Sequence, residues 1–221
     1  MEAVIGNSYV RQTNILEKTV LSKTFWALMV LFLFGYPIIR SYNRSLPDAL
    51  PVYGQLPQFQ FTDENGKAFG SYDLQGKVYV ANFIFTSCQT SCPILLKKIQ
   101  TVQHRMRGVI DRAAIVSITV DPGTDTPEVL FQKAREMKAN ANVWRFLTAP
   151  LEDTKKLLVG GFKVPMGDKA IANNIMDVAH SNKLVLVDQD GKIRGYYSIE
   201  GDGINKLMID IGLLINRKKN S

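Results

Sequence analysis

Val78-Tyr-Val-Ala-Asn-Phe-Ile-Phe85, followed at once by Thr86-Ser-Cys88-Gln-Thr-Ser-Cys92-Pro93, says more about the architecture than any other segment of the chain. A strongly apolar, β-rich run of this length reads as a strand buried on both faces of a sheet. The helical spacing of Leu95, Ile99, Val102 and Met106 makes Pro93–Arg107 a helix, with proline in its first turn. The only two cysteines of the chain therefore stand where a buried strand turns into a helix. Two thiols so placed can clamp a soft metal, cycle as a dithiol and disulfide, or lock as a structural bridge.

Further along, Ala113–Val120 reads as a second buried strand, ending at Asp121-Pro122. Asp125-Thr-Pro-Glu128 then opens a helix to about Ala139, with Thr126 as cap and Pro127 in the first turn. Trp144–Leu147 is a short strand, and Glu152–Val159 a short helix ended by Gly160-Gly161. Lys183–Val187 and Lys192–Tyr197 flank Asp190-Gly191, a strong hairpin signal. Toward the amino terminus, Phe59-Gln-Phe61, the Asn65-Gly66 turn and a segment near Phe69 form another hairpin. Ile204, Leu207, Met208, Ile211, Leu214 and Ile215 make one apolar helical stripe at the end of the chain. This order predicts an α/β fold, a mixed sheet with helices on both faces, in the thioredoxin layout.

The chain has 221 residues, of which 46% are hydrophobic and 21% charged, so it can build one well-cored domain and an appendage. Its net charge of +7 is spread along the sequence, with one short cluster at Arg217-Lys218-Lys219. There is no zinc-finger, RNA-binding or basic-helix signature, which argues against nucleic acid as a partner.

The appendage is the segment Thr24–Ile39, which carries no charge and is bracketed by Lys23 and Arg40. It would span roughly 24 Å as a helix, a little short of the ~30 Å hydrocarbon core. Snorkelling of Lys23 and Arg40, with Trp26, Tyr36 and Tyr42 at the interfaces, makes up the rest. A cleaved signal peptide would want a small-x-small site soon after, and Ile38-Ile39-Arg40-Ser41-Tyr42 offers none. The sequence thus divides into a cytoplasmic segment (1–23), a transmembrane anchor (24–40), a linker (41–55) and a domain (56–221). A slight basic bias ahead of the span puts the domain outside the cytoplasm, in the periplasm or an equivalent compartment of the inner membrane.

At the site itself, unpaired N–H groups and the positive end of a helix dipole should lower a thiol pKa from about 8.5. Thioredoxin-type exchange usually has two residues between its cysteines, whereas Gln89, Thr90 and Ser91 intervene here. A wider loop can aim two sulfurs at one ion and can still close a disulfide. A third donor must come from one of two histidines. His104 falls on the polar face of the first helix, beside Arg105 and Arg107, and reads as solvated. His180 stands just ahead of the Lys183 strand, in a loop where thioredoxin-like enzymes carry a cis-proline and this chain has Val178-Ala-His-Ser181. Asp121 and Asp125 fall at strand and helix ends near the predicted site; Asp125 reads as supporting a turn or cap, and neither reads as a ligand.

These residues resemble the Sco/SenC family of membrane-anchored copper proteins. The resemblance rests on Phe85-Thr-Ser-Cys-Gln-Thr-Ser-Cys-Pro93, Val120-Asp-Pro-Gly-Thr-Asp-Thr-Pro-Glu128, Trp144-Arg-Phe-Leu-Thr148, His180-Ser181 and the Asp190-Gly191 turn. It implies a thioredoxin-like fold in which Cys88, Cys92 and His180 bind one copper ion, as Cu(I) or Cu(II). It also implies copper delivery and thiol reduction in assembling the binuclear copper centre of cytochrome c oxidase, with an oxidase subunit or other client as partner. Two positions depart from the family pattern. Gln89 replaces the usual proline after the first cysteine, and Ala179 replaces the usual aspartate before the histidine, removing a carboxylate from beside the site. The alternative is a membrane-tethered thiol-disulfide oxidoreductase acting on protein disulfides. A peroxiredoxin-like peroxidase is weaker still, because the residues before Cys92 lack the expected proline.

Overall fold

The computed structural model describes residues 22–42, 49–88, 91–164 and 183–216. The chain divides into two compact units, Met1–Ala49 and Leu50–Ser221. In the first, helix α1 (Lys23–Val30) passes through a π-helical turn (Leu31–Gly35) into α2 (Tyr36–Tyr42). Pro37 has no N–H to return to the preceding turn, and the widened turn falls directly ahead of it. Lys23–Arg40 is long and apolar enough to cross a membrane, and none of its side chains is buried within the protein.

Among the described residues, the second unit is built on one mixed sheet of eight strands. They are β1 (Gly54–Gln55), β2 (Gln60–Asp63), β3 (Ala68–Gly70), β4 (Val78–Ile84), β5 (Ala113–Thr119), β6 (Trp144–Thr148), β7 (Lys183–Val187) and β8 (Lys192–Ser198). Their spatial order is β1-β8-β7-β4-β5-β6-β2-β3. β4 pairs parallel with β5 and antiparallel with β7, and every residue of β4 and β5 is buried. The alternating pleat sorts their side chains into two cores. Val78, Val80 and Ile84 pack with Leu95, Ile99 and Val102 of α3 (Ser91–Arg105) and with Leu207 and Ile211 of α6 (Gly203–Asn216). Leu130 of α4 (Pro127–Glu136) joins the same face. Tyr79, Ala81 and Phe83 face the other way, onto Leu157, Leu158 and Phe162.

Both hairpins form as the sequence predicts, with Gly66 and Gly191 taking the positive φ (74° and 78°) that their turns require. Thr126 caps α4, its hydroxyl accepting from the Val129 N–H. Two expectations fail. The predicted Glu152–Val159 helix is a short α5 (Leu151–Lys155) that widens into a π-helical segment, Lys156–Phe162. Gly160 and Gly161 lie inside that segment, and the stop is Lys163 in the left-handed conformation. A side chain at Gly161 would be tightly packed, its Cβ 3.0 Å from Pro57 and 3.1 Å from Leu157. The sheet also starts ahead of Leu56, because β1, within the stretch read as linker, pairs with β8.

Candidate metal and redox site

The carboxyl ends of β4 and β5 lie side by side, with Ile84 opposite Thr119. After Ile84 the chain turns tightly, the Cys88 N–H donating to the Phe85 carbonyl at 3.2 Å. Cys92 sits in the first turn of α3, where backbone N–H groups have no partner within the helix. Its N–H instead donates to the Cys88 sulfur at 3.4 Å. The two predicted cysteines are thus brought together at one helix start, as thiols with no bond between them.

Both are more buried than a loop position suggests, Cys88 at 8% and Cys92 at 2% exposure. They line a cavity of about 70 Å³ whose other walls include Thr86, Lys97, Lys133, Glu136 and Met137. Within the wall the Lys133 ammonium meets the Glu136 carboxylate at 2.6 Å.

Burial also reverses the expected acidity. Desolvation pushes the Cys92 thiol from the ordinary 9.0 up to about 12; a hydrogen bond from the Phe85 backbone pulls it back, while Cys88 and the Asp125 charge raise it further. The helix start is present, but removing a thiolate from water outweighs its favourable field. At neutral pH Cys92 is a protonated thiol.

Asp125 lies near the site, as expected, and the turn that it supports is the one carrying Thr86. It is fully buried, and its carboxylate does not cap a helix. The Thr86 N–H donates to its two oxygens at 3.2 and 3.0 Å, and the hydroxyls of Thr86 and Thr119 bond to it as well. The loop after β5 returns to make this contact: the Asp125 N–H donates to the Asp121 carbonyl at 2.9 Å, and Asp121 N–H to the Thr119 hydroxyl at 3.1 Å. Asp121 itself is half-buried on that loop. His104 is exposed on α3, as expected. His180, Ala179 and Gln89 lie outside the described residues. Among the described residues no third histidine, cysteine or carboxylate completes a metal-holding group with the two thiols.

A central parallel pair, a following antiparallel hairpin, flanking helices and a dithiol at the first strand-to-helix turn define a thioredoxin-like protein. The chain belongs to the SCO1/SenC family, whose model matches residues 53–211. Among solved structures, a SCO1/SenC family lipoprotein from Bacillus anthracis is similar at a TM-score of 0.64 and 32% identity, covering 77% of this chain and 99% of that one. BsSco superposes at 0.65 with 26% identity over 77% and 98% of the two chains; it is described as a member of the Sco family of cytochrome c oxidase assembly proteins that carries a disulfide switch. A protein of Stutzerimonas stutzeri, provisionally designated copper-binding, is 26% identical over 169 residues, 73% of this chain and 79% of its own.

Proposed function

We propose that this protein binds one copper ion as cargo through Cys88, Cys92 and His180, and serves assembly of the binuclear copper centre of cytochrome c oxidase. The observation that carries the reading is the pair of adjacent, unbridged thiols at the start of α3, lining one small cavity. Two thiolates suit a soft ion, and an imidazole from the loop ahead of β7 would complete a three-donor set. The copper-binding designation of one relative and the oxidase-assembly role of the Sco family named for BsSco support it. The anchor would be residues 24–40, with 1–23 cytoplasmic, a linker that ends before β1, and the domain in the periplasm or an equivalent compartment.

Binding replaces protons. With Cu(I), two thiols give up two protons and the bis-thiolate complex carries one negative charge; with Cu(II) it is neutral. Burial makes Cys92 hold its proton more tightly than an ordinary thiol, so a bound cation must displace it. For the runner-up, thiol-disulfide exchange on a protein client, the same feature makes Cys92 a poor attacking thiol. A thiol held far above neutral pH is a scarce thiolate. A reversible Cys88–Cys92 disulfide stays part of the reading, because oxidation would remove two donors at once.

The test is anaerobic Cu(I) titration of the reduced full-length protein in detergent micelles. One equivalent should bind, X-ray absorption should show about two sulfur neighbours and at least one nitrogen, and His180→Ala should weaken binding without unfolding the domain. Stoichiometric binding that survives replacement of both cysteines by serine would end the proposal.

A further inference from the structure

We propose that Asp125 is the positioning residue of the dithiol: its buried carboxylate holds the Thr86 end of the cysteine loop, and its uncompensated charge sets which oxidation state of copper the two sulfurs prefer. The charge half of this inference rests on the copper reading above; the positioning half does not.

The positioning follows from the contacts. Thr86 is two residues ahead of Cys88, and both its N–H and its hydroxyl are bound to a side chain 39 residues further along the chain. Thr119, which anchors the second oxygen, ends the fully buried strand β5. The cysteine loop is thereby tied to the neighbouring strand rather than only to its own helix. This tie exists in the dithiol form, so loosening it should disfavour that form relative to the disulfide.

The charge follows from what Asp125 does not touch. Among the described residues its partners are a backbone N–H and two hydroxyls, and it makes no ion pair. Neutral donors bring no opposite charge to a carboxylate, and in this buried setting charges act strongly on one another. The Asp125 charge stands beside the cysteine loop, because the carboxylate is bonded to Thr86, two residues ahead of Cys88. A bis-thiolate Cu(I) site has one more negative charge than the Cu(II) site of the same ligands. Asp125 therefore handicaps Cu(I) relative to Cu(II), and substituting it by asparagine should remove the handicap while leaving a side chain of the same shape.

Two variants of the full-length protein in micelles separate the two roles. Asp125→Asn removes the charge and weakens the tie; Thr86→Val removes the hydroxyl and leaves the charge. Affinities for Cu(I) and Cu(II) are measured by chelator competition, and the midpoint of the Cys88–Cys92 couple (dithiol giving disulfide, two protons and two electrons) in dithiothreitol redox buffers. Asp125→Asn should shift the Cu(I)-over-Cu(II) affinity ratio at least tenfold toward Cu(I). Both variants should favour the disulfide, moving the midpoint to more negative values by a tenfold change in equilibrium constant, about 30 mV for two electrons. A folded Asp125→Asn protein that loses thermal stability but moves neither quantity overturns the proposal, since that is what a merely structural residue would do. If Thr86→Val shifts the copper ratio as much as Asp125→Asn does, the charge half is wrong. If Asp125→Asn does not fold, Thr86→Val still decides the positioning through the midpoint. Failure of the wild type to bind either ion overturns the copper reading and the charge half with it, while the midpoints continue to judge the tie.

Discussion

Asp188 and Asp125 are both buried aspartates near strand ends, on opposite ends of the same sheet. Asp188 follows β7 and organises the β7–β8 turn, accepting from the Asp190 and Lys192 N–H groups at 3.0 and 2.9 Å. Its remaining oxygen meets the Arg194 guanidinium at 2.6 Å. The Asp63-Glu64 pair at the β2–β3 hairpin is treated the same way, with Arg145 against Glu64 at 2.9 Å and against Asp63 at 3.4 Å. Asp125 accepts a comparable set of neutral donors and has no cation among the described residues. Asp188 and the Asp63-Glu64 pair each have an arginine; Asp125, which holds the cysteine loop, has no ion pair among the described residues. Structural need alone would favour compensation in both places, since a buried charge without a partner is costly.

The most demanding test of this contrast is the same substitution at both sites. Asp188→Asn would strand Arg194, itself only 17% exposed, and should cost about 3 kcal/mol in urea unfolding. Asp125→Asn strands no cation and should cost less, about 1–2 kcal/mol, for the buried bonds from Thr86 and Thr119 that it weakens. Equal losses would mean that the two aspartates are equivalent turn residues after all.

A middle-sized effect belongs to pH. The Cys92 thiol has a folded-state pKa raised from 9.0 to about 12, so the folded protein holds its proton longer than the unfolded chain. The associated stability is fully present below about pH 9 and is lost progressively as pH rises toward 12. At pH 10 the loss should be about 1.4 kcal/mol, one unit's worth. Comparing wild type with Cys92→Ser isolates it, because tyrosine titration is common to both. A wild-type profile that follows the variant's over this range would show that Cys92 is not desolvated as described.

The weakest effect is at the start of α4, next to Asp125. Thr126→Ala removes one hydroxyl acceptor from a 3.5 Å cap and should cost about 0.5 kcal/mol in the same unfolding assay. The copper ratio should stay unchanged. A large change in that ratio would place the functional contact in the cap instead of in Asp125.

Most of the fold was legible because it is written in local periodicity. The runs Val78–Ile84 and Ala113–Thr119 are β-rich over their whole length, and Asp190-Gly191 and Asn65-Gly66 carry the turn chemistry their hairpins use. β1 was not legible: it is two residues long and exists because Tyr53 and Leu56 donate to the Ile193 and Gly191 carbonyls of an element far along the chain. The π-helical path through Gly160 and Gly161 was hidden for a similar reason. Glycines read as a stop, whereas here Gly161 packs tightly against Pro57 and Leu56.

At the site, local sequence was enough to place two thiols on one strand-to-helix turn, since strand, loop and helix are all set by residues within a few positions of them. Their chemistry was settled by long-range packing. The helix dipole is a local property and predicted an acidic thiol; desolvation is a sum over everything packed around Cys92, and it prevailed. Asp125 looked like a turn or cap residue in Asp125-Thr-Pro-Glu128 because turns and caps are short-range. Its contact with Thr86 depends on the parallel registry of β4 with β5, which brings Ile84 beside Thr119 and which no stretch of sequence states on its own.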